Sequence, residues 1–223
     1  KYHPLAWSLT AKQTAALVAR CRAEKTTVHA ALSTAFLRSF GEFHADGWNR
    51  KIQSPISLRD RLTSPAGEAF GLYVNLVEFL VNCSPQRNFW EVARKIKQTL
   101  IRRTADPYIF RSLIEGNVIM DELGAIVTPD IVSRSFLTVD YDLSITNLGR
   151  LDFPTQVGPL QLDALYGPSL GGNPQDIVLG VITVGGKMHF TLSFTDLKLN
   201  SEQAEQIKGK AMHWLEEAAD WGK

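Results

Sequence analysis

The sequence is poor in the features that mark specialised classes. Cysteine occurs only twice, at Cys21 and Cys83. Two cysteines build no disulfide framework and no metal spacing. Cys21 falls on an apolar helical stripe and Cys83 follows an apolar strand, so both read as buried or incidental free thiols of a reducing cytoplasm. Neither sign of charge is in excess: 24 Lys and Arg face 23 Asp and Glu, which argues against a nucleic-acid or membrane-surface partner. No apolar run approaches the roughly 18–20 residues of a transmembrane helix. The opening residues 1–7 carry no secretory apolar region and no initiator Met, as in a processed chain or a piece of a longer one.

Catalytic templates are missing too. There is no Walker loop, no Gly-x-Gly-x-x-Gly and no Gly-x-Ser-x-Gly. Ser169–Asn173 is a turn signal, without the strand and helix that would make it a phosphate cradle. The histidines at 3, 29, 44, 189 and 213 are scattered, and no pair has metal-ligand spacing. A His base for acyl transfer needs a carboxylate to hold it. His44-Ala45-Asp46-Gly47 is too short for His-x-x-x-Asp and reads as a loop turn. His189 is expected at the surface or a sheet edge, and His213 on the outer side of the last helix. The chain therefore offers no metal site and no catalytic engine of its own.

What is present is a strong pattern of elements in a chain long enough to bury a real core. Ser8–Lys25 reads as a helix, with Thr10 and Gln13 spaced as a capping box. Val28–Phe40 is an amphipathic helix. Lys51–Leu58 is a strand, and Pro55 makes it an edge or irregular one. Gly71–Val81 is apolar on both sides, so it is expected to be buried on both, with Asn75 and Glu78 as interruptions needing partners. Asn88–Thr104 is a helix with Arg94, Lys95, Lys97, Arg102 and Arg103 mostly on its outer side, either a solvated face or a dock for an acidic partner. A short helix from Asp106-Pro107 to about Asn117 and an uncertain segment Val118–Arg134 follow. Gly158–Tyr166 is read as a strand. Asp176–Val184, Gly185-Gly186 and Lys187–Thr195 form a hairpin, and Ser201–Trp221 a final helix. Mixed helices and strands without strict alternation predict an α+β layered fold, with a mixed, largely antiparallel sheet and helices packed on it.

Within this frame Asp142–Leu151 reads as a central strand. Its apolar residues alternate with Ser144, Thr146 and Asn147. That small polar face either lines a site or simply meets water and helix ends.

Several stretches carry a family resemblance. Ser54-Pro55-Ile56-Ser57-Leu58-Arg59-Asp60-Arg61-Leu62, followed by Gly71-Leu72-Tyr73-Val74-Asn75, resembles the strand, Arg turn and Gly-x-Phe-Val-Asn strand of condensation domains of nonribosomal peptide synthetases. Phe89-Trp90-Glu91-Val92-Ala93 is similar to the helix that follows it there. Ser144–Arg150 and Val178–Thr195 are similar to the late strands of the superfamily, which includes chloramphenicol acetyltransferase and the mycobacterial polyketide-associated acyltransferases. The resemblance covers only the C-terminal half of such an enzyme, so residues 1–223 are taken as one C-terminal lobe of an αβα sandwich. It implies a partner lobe carrying the His-His-x-x-x-Asp-Gly base, a tunnel between the lobes, and a thioester of CoA or of carrier-protein phosphopantetheine as cosubstrate. By the same analogy Ser144, Thr146 and Asn147 face the tunnel, while Arg59 and Asn75 hold backbone near the strand ends, Arg59 more as a structural residue. No catalytic residue carries over. The absent Arg-Asp-x-Ser-Arg-x-Pro motif points to the free-standing acyltransferase branch. A non-catalytic lobe that docks a carrier protein is the alternative, and a lobe with its inter-lobe face bare is expected to self-associate.

Overall fold

A computed structural model describes residues 1–43, 47–64, 66–111, 114, 141–167 and 173–221. The sequence expectations beyond residue 114 up to Arg134, and those for His44, Asp46 and 169–172, lie outside the described residues. The strands are β1 (Tyr2–Leu9), β2 (Asn49–Ser57), β3 (Val74–Asn82), β4 (Leu143–Arg150), β5 (Gln156–Val157), β6 (Leu160–Gln161), β7 (Val178–Val184) and β8 (Lys187–Thr195). The helices are α1 (Ala11–Ala23), α2 (Val28–Gly41), α3 (Phe89–Arg103) and α4 (Ser201–Ala219).

Six strands form one sheet in the order β1-β8-β7-β4-β2-β3. β2, β4 and β7 run parallel; the β1–β8, β7–β8 and β2–β3 pairs are antiparallel. This is the mixed, largely antiparallel sheet expected. β1 was not foreseen. Its signal is a weak alternation of Leu5, Trp7 and Leu9 with Pro4, Ala6 and Ser8, and it forms because β8 offers a full-length partner. Gly158–Tyr166 is corrected in the other direction. Only Leu160–Gln161 is a strand, paired with Gln156–Val157 in a small exposed hairpin away from the main sheet.

The helices are set by local chemistry. Thr10 and Gln13 make the reciprocal capping box, as do Asn200 and Gln203 at α4, and Asn88 caps α3 by accepting from Trp90 and Glu91 amides. α2 packs on α1, α3 and α4, α1 also packs on α4, and the helices cover the sheet face bearing Trp7, Phe79, Ile145, Val181, Phe190 and Leu192. Trp7 stacks on Phe190 with ring centroids 5.1 Å apart. α2 is the central element, enclosed between α3, α4 and the sheet, and buried almost all round. That explains how a helix holds Arg38 at 1% exposure. Its guanidinium donates to the carbonyls of Cys83, Ser84 and Arg87 and lies over the rings of Phe89 and Trp214. Cys21 and Cys83 are buried free thiols, pushed up to about 12 and about 11 by desolvation.

β3 is an edge strand, which overturns the expectation of burial on both faces. Asn75, Val77, Phe79 and Val81 face the helices, while Leu76 and Leu80 point outward and are exposed. Apolar residues on both faces of a strand do not distinguish a central strand from an edge that awaits a partner. Pro55 is tolerated for a related reason: β2 pairs β4 only at Ile52–Leu143 and Gln53–Ser144, so Pro55 lies beyond that ladder. Asp142 ties the start of this junction, accepting from the Lys51 amide at 2.7 Å and from Arg50 at 3.1 Å.

Candidate functional site

The parallel strands β2, β4 and β7 end on the same side of the sheet, where β3 and β8 begin. In open sheets, ligands collect at the carboxyl ends of parallel strands. Three of the five residues singled out from sequence gather here. Arg59 follows β2. Its guanidinium donates to the carbonyls of Gly67 and Ala69 at 3.0 and 3.1 Å and lies 4.6 Å from the Tyr73 ring centroid. It clamps the 66–73 loop. Asn75 is buried on the helix face; its Oδ1 accepts from the Leu76 amide at 2.8 Å and its Nδ2 donates to the Ile109 carbonyl. It holds the segment after α3 against the strand.

Asn147 stands at the end of β4. Its Oδ1 accepts from the Gly149 amide at 2.8 Å, where Gly149 has φ +71° and the β4–β7 register breaks. Only glycine adopts that backbone cheaply. Asn147 is half-buried, and its Nδ2 has no partner among the described residues.

Ser144 and Thr146 lie elsewhere. Register pairs Ser144 with Val178 and Thr146 with Gly180, on the sheet face away from the helices, whereas Asn147 pairs with Val181 on the opposite face. The three do not share one surface. Consecutive strand residues point to opposite faces, so Thr146 and Asn147 part by alternation alone; the register breaks only after Asn147. Ser144 is 2% exposed and Thr146 8%. Ser144 Oγ donates to Gln53 Oε1 at 3.1 Å, Gln53 Nε2 donates to Glu78 Oε1 at 2.8 Å, and Lys51 pairs with Glu78 at 3.1 Å. The interrupting Glu78 thus has the partners a half-buried carboxylate needs.

On the same face, β8 brings residues that sequence reasoning undervalued. His189 is 1% exposed on an interior strand, not at the surface or an edge, because β1 covers its outer side. Neither ring nitrogen has a hydrogen-bond partner among the described residues, nor does Thr191 Oγ1. Desolvation and the nearby Lys187 hold the imidazole below its ordinary pKa, so it is neutral near pH 7. Tyr166 meets it edge-on at 5.3 Å. The unrecognised β1 concealed this burial.

Large apolar side chains lie bare around the same end of the sheet. Phe70 and Leu72 precede β3, Leu148 and Phe153 flank the end of β4, and Val157 and Leu160 tip the small hairpin; all are exposed. The hairpin region is tied back to β8 by Lys187–Asp163 at 2.9 Å. On α3, Arg94 pairs with Glu24 at 2.8 Å and Lys97 donates to the Lys25 carbonyl at 3.0 Å. Lys95, Arg102 and Arg103 remain exposed. Among the described residues there is no metal-binding cluster, and no helix is long and apolar enough to cross a membrane.

Sheet order, helix placement and bared end define the C-terminal lobe of a condensation-type acyltransferase fold. The chain belongs to the family of the phthiocerol/phthiodiolone dimycocerosyl transferase C-terminus, whose model matches residues 2–162. No curated protein matches the sequence. Solved structures with the same fold include the epimerization domain from the third module of tyrocidine synthetase B, with TM-score 0.69 at 15% identity. It is matched over 98% of this chain and 48% of its own. Polyketide synthase associated protein 5 from Mycobacterium tuberculosis has TM-score 0.67 at 13% identity, over 97% and 53%. The EpoB cyclization-docking bidomain from Sorangium cellulosum has TM-score 0.70 at 12% identity, over 98% and 42%. The chain spans about half the length of these structures.

Proposed function

We propose that this lobe forms one wall of the substrate tunnel of an acyltransferase that moves an acyl group from a CoA or carrier-protein thioester to a hydroxyl or amine. The observation that carries the reading is the ring of exposed apolar side chains at the strand ends where Arg59, Asn75 and Asn147 gather. A second lobe covers that end and supplies the base of the His-His-x-x-x-Asp-Gly motif. The acceptor O–H or N–H gives its proton to that base as its heteroatom attacks the thioester carbonyl. The C–S bond then breaks, and the thiolate leaves with the returned proton. This chain holds the tunnel rim in place: Arg59 fixes the 66–73 loop, Asn75 fixes the segment around Ile109, and the small hairpin at 156–161 reaches across as a latch. Asn147 Nδ2, near these strand ends and without a partner among the described residues, is a donor suited to a developing oxyanion or to a pantetheine amide. Ser144 and Thr146, buried behind that rim, back it from within the sheet.

The test is reconstitution. The chain alone is expected to release no thiol from acyl-CoA, and addition of the separately expressed upstream lobe to restore release. Turnover by the chain alone, or an upstream region without a His-His-x-x-x-Asp-Gly, would sink the split-site reading.

The second reading is a non-catalytic lobe that docks a carrier protein, supported by Lys95, Arg102 and Arg103, which remain outward after Arg94 and Lys97 are engaged. A mixture with the upstream lobe that binds a carrier protein yet never turns over would select it.

A further inference from the structure

We infer that the outer edge of β3 takes up an extended peptide segment, with acidic residues alternating with apolar ones, as an added strand. The inference does not rest on the acyltransferase reading. β3 has no strand partner on its outer side among the described residues. Its ladder with β2 runs from Asn49–Asn82 to Ser57–Val74 without a register break. Sheet edges are ordinarily blunted by Pro, Lys or a bulge, and β3 contains none of these.

The direction of its backbone groups follows from the ladder. The Leu58 amide donates to the Tyr73 carbonyl and the Cys83 amide to the Trp48 carbonyl. In an antiparallel pair the bonded positions alternate, so residues 75, 77, 79 and 81 spend their backbone groups on β2. The N–H and C=O of Glu78 and Leu80 therefore point outward. The Leu76 amide is already taken by its neighbour Asn75, so strand addition is centred on Glu78–Leu80.

The surroundings specify the chemistry. Two grooves run between this strand and α3. One, of about 730 Å³, is flanked by Asn75–Glu78 together with Arg102 and Arg103. The other, of about 500 Å³, is flanked by Phe79–Asn82 with Arg87 and Lys95. Of the acids beside them, Glu78 is engaged by Lys51 and Gln53, which leaves Glu91 against five cations, Arg111 of the first groove included. Cations at a helix C-terminus also serve the helix dipole, which accounts for Arg102 and Arg103 but not for Arg87 before α3 or Lys95 in its middle. On the opposite side of the edge Leu76 and Leu80 are exposed. An added strand presents alternate side chains to these two environments, acids to the grooves and apolar groups to the leucines.

The test uses a fluorescein-labelled peptide of alternating Glu and Val, with anisotropy as readout. Binding is expected, weakening as salt is raised. Leu80→Pro removes an outward amide without touching the β2 ladder and is expected to weaken binding about tenfold. The double change Arg102→Glu, Arg103→Glu is expected to weaken it comparably and to flatten the salt dependence. A peptide N-methylated at alternate amides leaves the protein unchanged and must fail to bind. Equal binding of the N-methylated peptide, or of a Lys-Val peptide, would overturn the inference. So would a dimer in light scattering that Leu80→Pro dissolves, because a second copy would then be the occupant.

Discussion

His29 Nε2 lies 3.0 Å from Ser54 Oγ, joining the first turn of α2 to the middle of β2. Burial pushes this imidazole down to about 4. In the unfolded chain it titrates near its ordinary 6.5. Between those values the unfolded chain binds the extra proton, so the fold is favoured fully above the upper value. That stability is lost progressively as pH falls from 6.5 to 4, and then changes no further on this account. The loss reaches up to about 3 kcal/mol. Urea unfolding at about pH 7 and about pH 4.5 is expected to show it, and His29→Gln to flatten the difference. An unchanged pH dependence in the variant would exclude His29 as its source.

Arg38→Met keeps the length of the side chain and removes its donors. The carbonyls of Cys83, Ser84 and Arg87 are then left without them. The expected cost is about 2–4 kcal/mol, since bonds to charged donors are strong and the acceptors stay partly buried. Chemical denaturation measures it. A loss under about 0.5 kcal/mol would show that water replaces the guanidinium freely.

Asn147→Asp preserves the acceptor that holds the Gly149 turn and deletes an N–H donor that has no partner among the described residues. In the proposed two-lobe enzyme, turnover is expected to fall at least about tenfold with little change in melting temperature. Thr146→Ala, buried behind the rim, is expected to cost about 1 kcal/mol of stability and to leave turnover nearly unchanged. The reverse pattern would move the tunnel contact to the other face of the sheet.

Phe70→Ser and Leu72→Asp change side chains that touch solvent, so stability is expected to shift by no more than about 0.5 kcal/mol. Self-association of the lobe, followed by light scattering across concentrations, is expected to diminish. Association that persists unchanged would place the adhesive surface elsewhere.

The elements with strong local signals were legible in the sequence. The Thr10–Gln13 capping box, the apolar periodicity of α2 and the Gly185-Gly186 turn each act within a few residues, and each formed as expected. β1 and the edge position of β3 were not legible, because both depend on which distant strand lies alongside. The candidate site divides in the same way. Arg59 as a clamp follows from an arginine beside a loop. The separation of Asn147 from Thr146 follows from their adjacency on one strand and was legible without the structure, whereas the enclosure of His189 requires β1. An alternating pattern names a face only for residues two apart, and Asn147, next to Thr146, belongs to the other one.

The short junction between β2 and β4 divides the sheet mechanically. One side holds β2, β3 and α3; the other holds β4, β7, β8 and β1. Backbone bonding across the line is confined to the beginning of β4, with Asp142 and the Ser144–Gln53 bond reinforcing it. Such a line is a fault plane. Amides along it are expected to exchange with solvent ahead of those in the β7–β8 hairpin, as the two portions part before either melts. Because the plane ends among the strand termini where the second lobe is proposed to sit, closure by that lobe would lock the two portions at a fixed angle. The geometry of the rim would then be set by assembly as much as by folding.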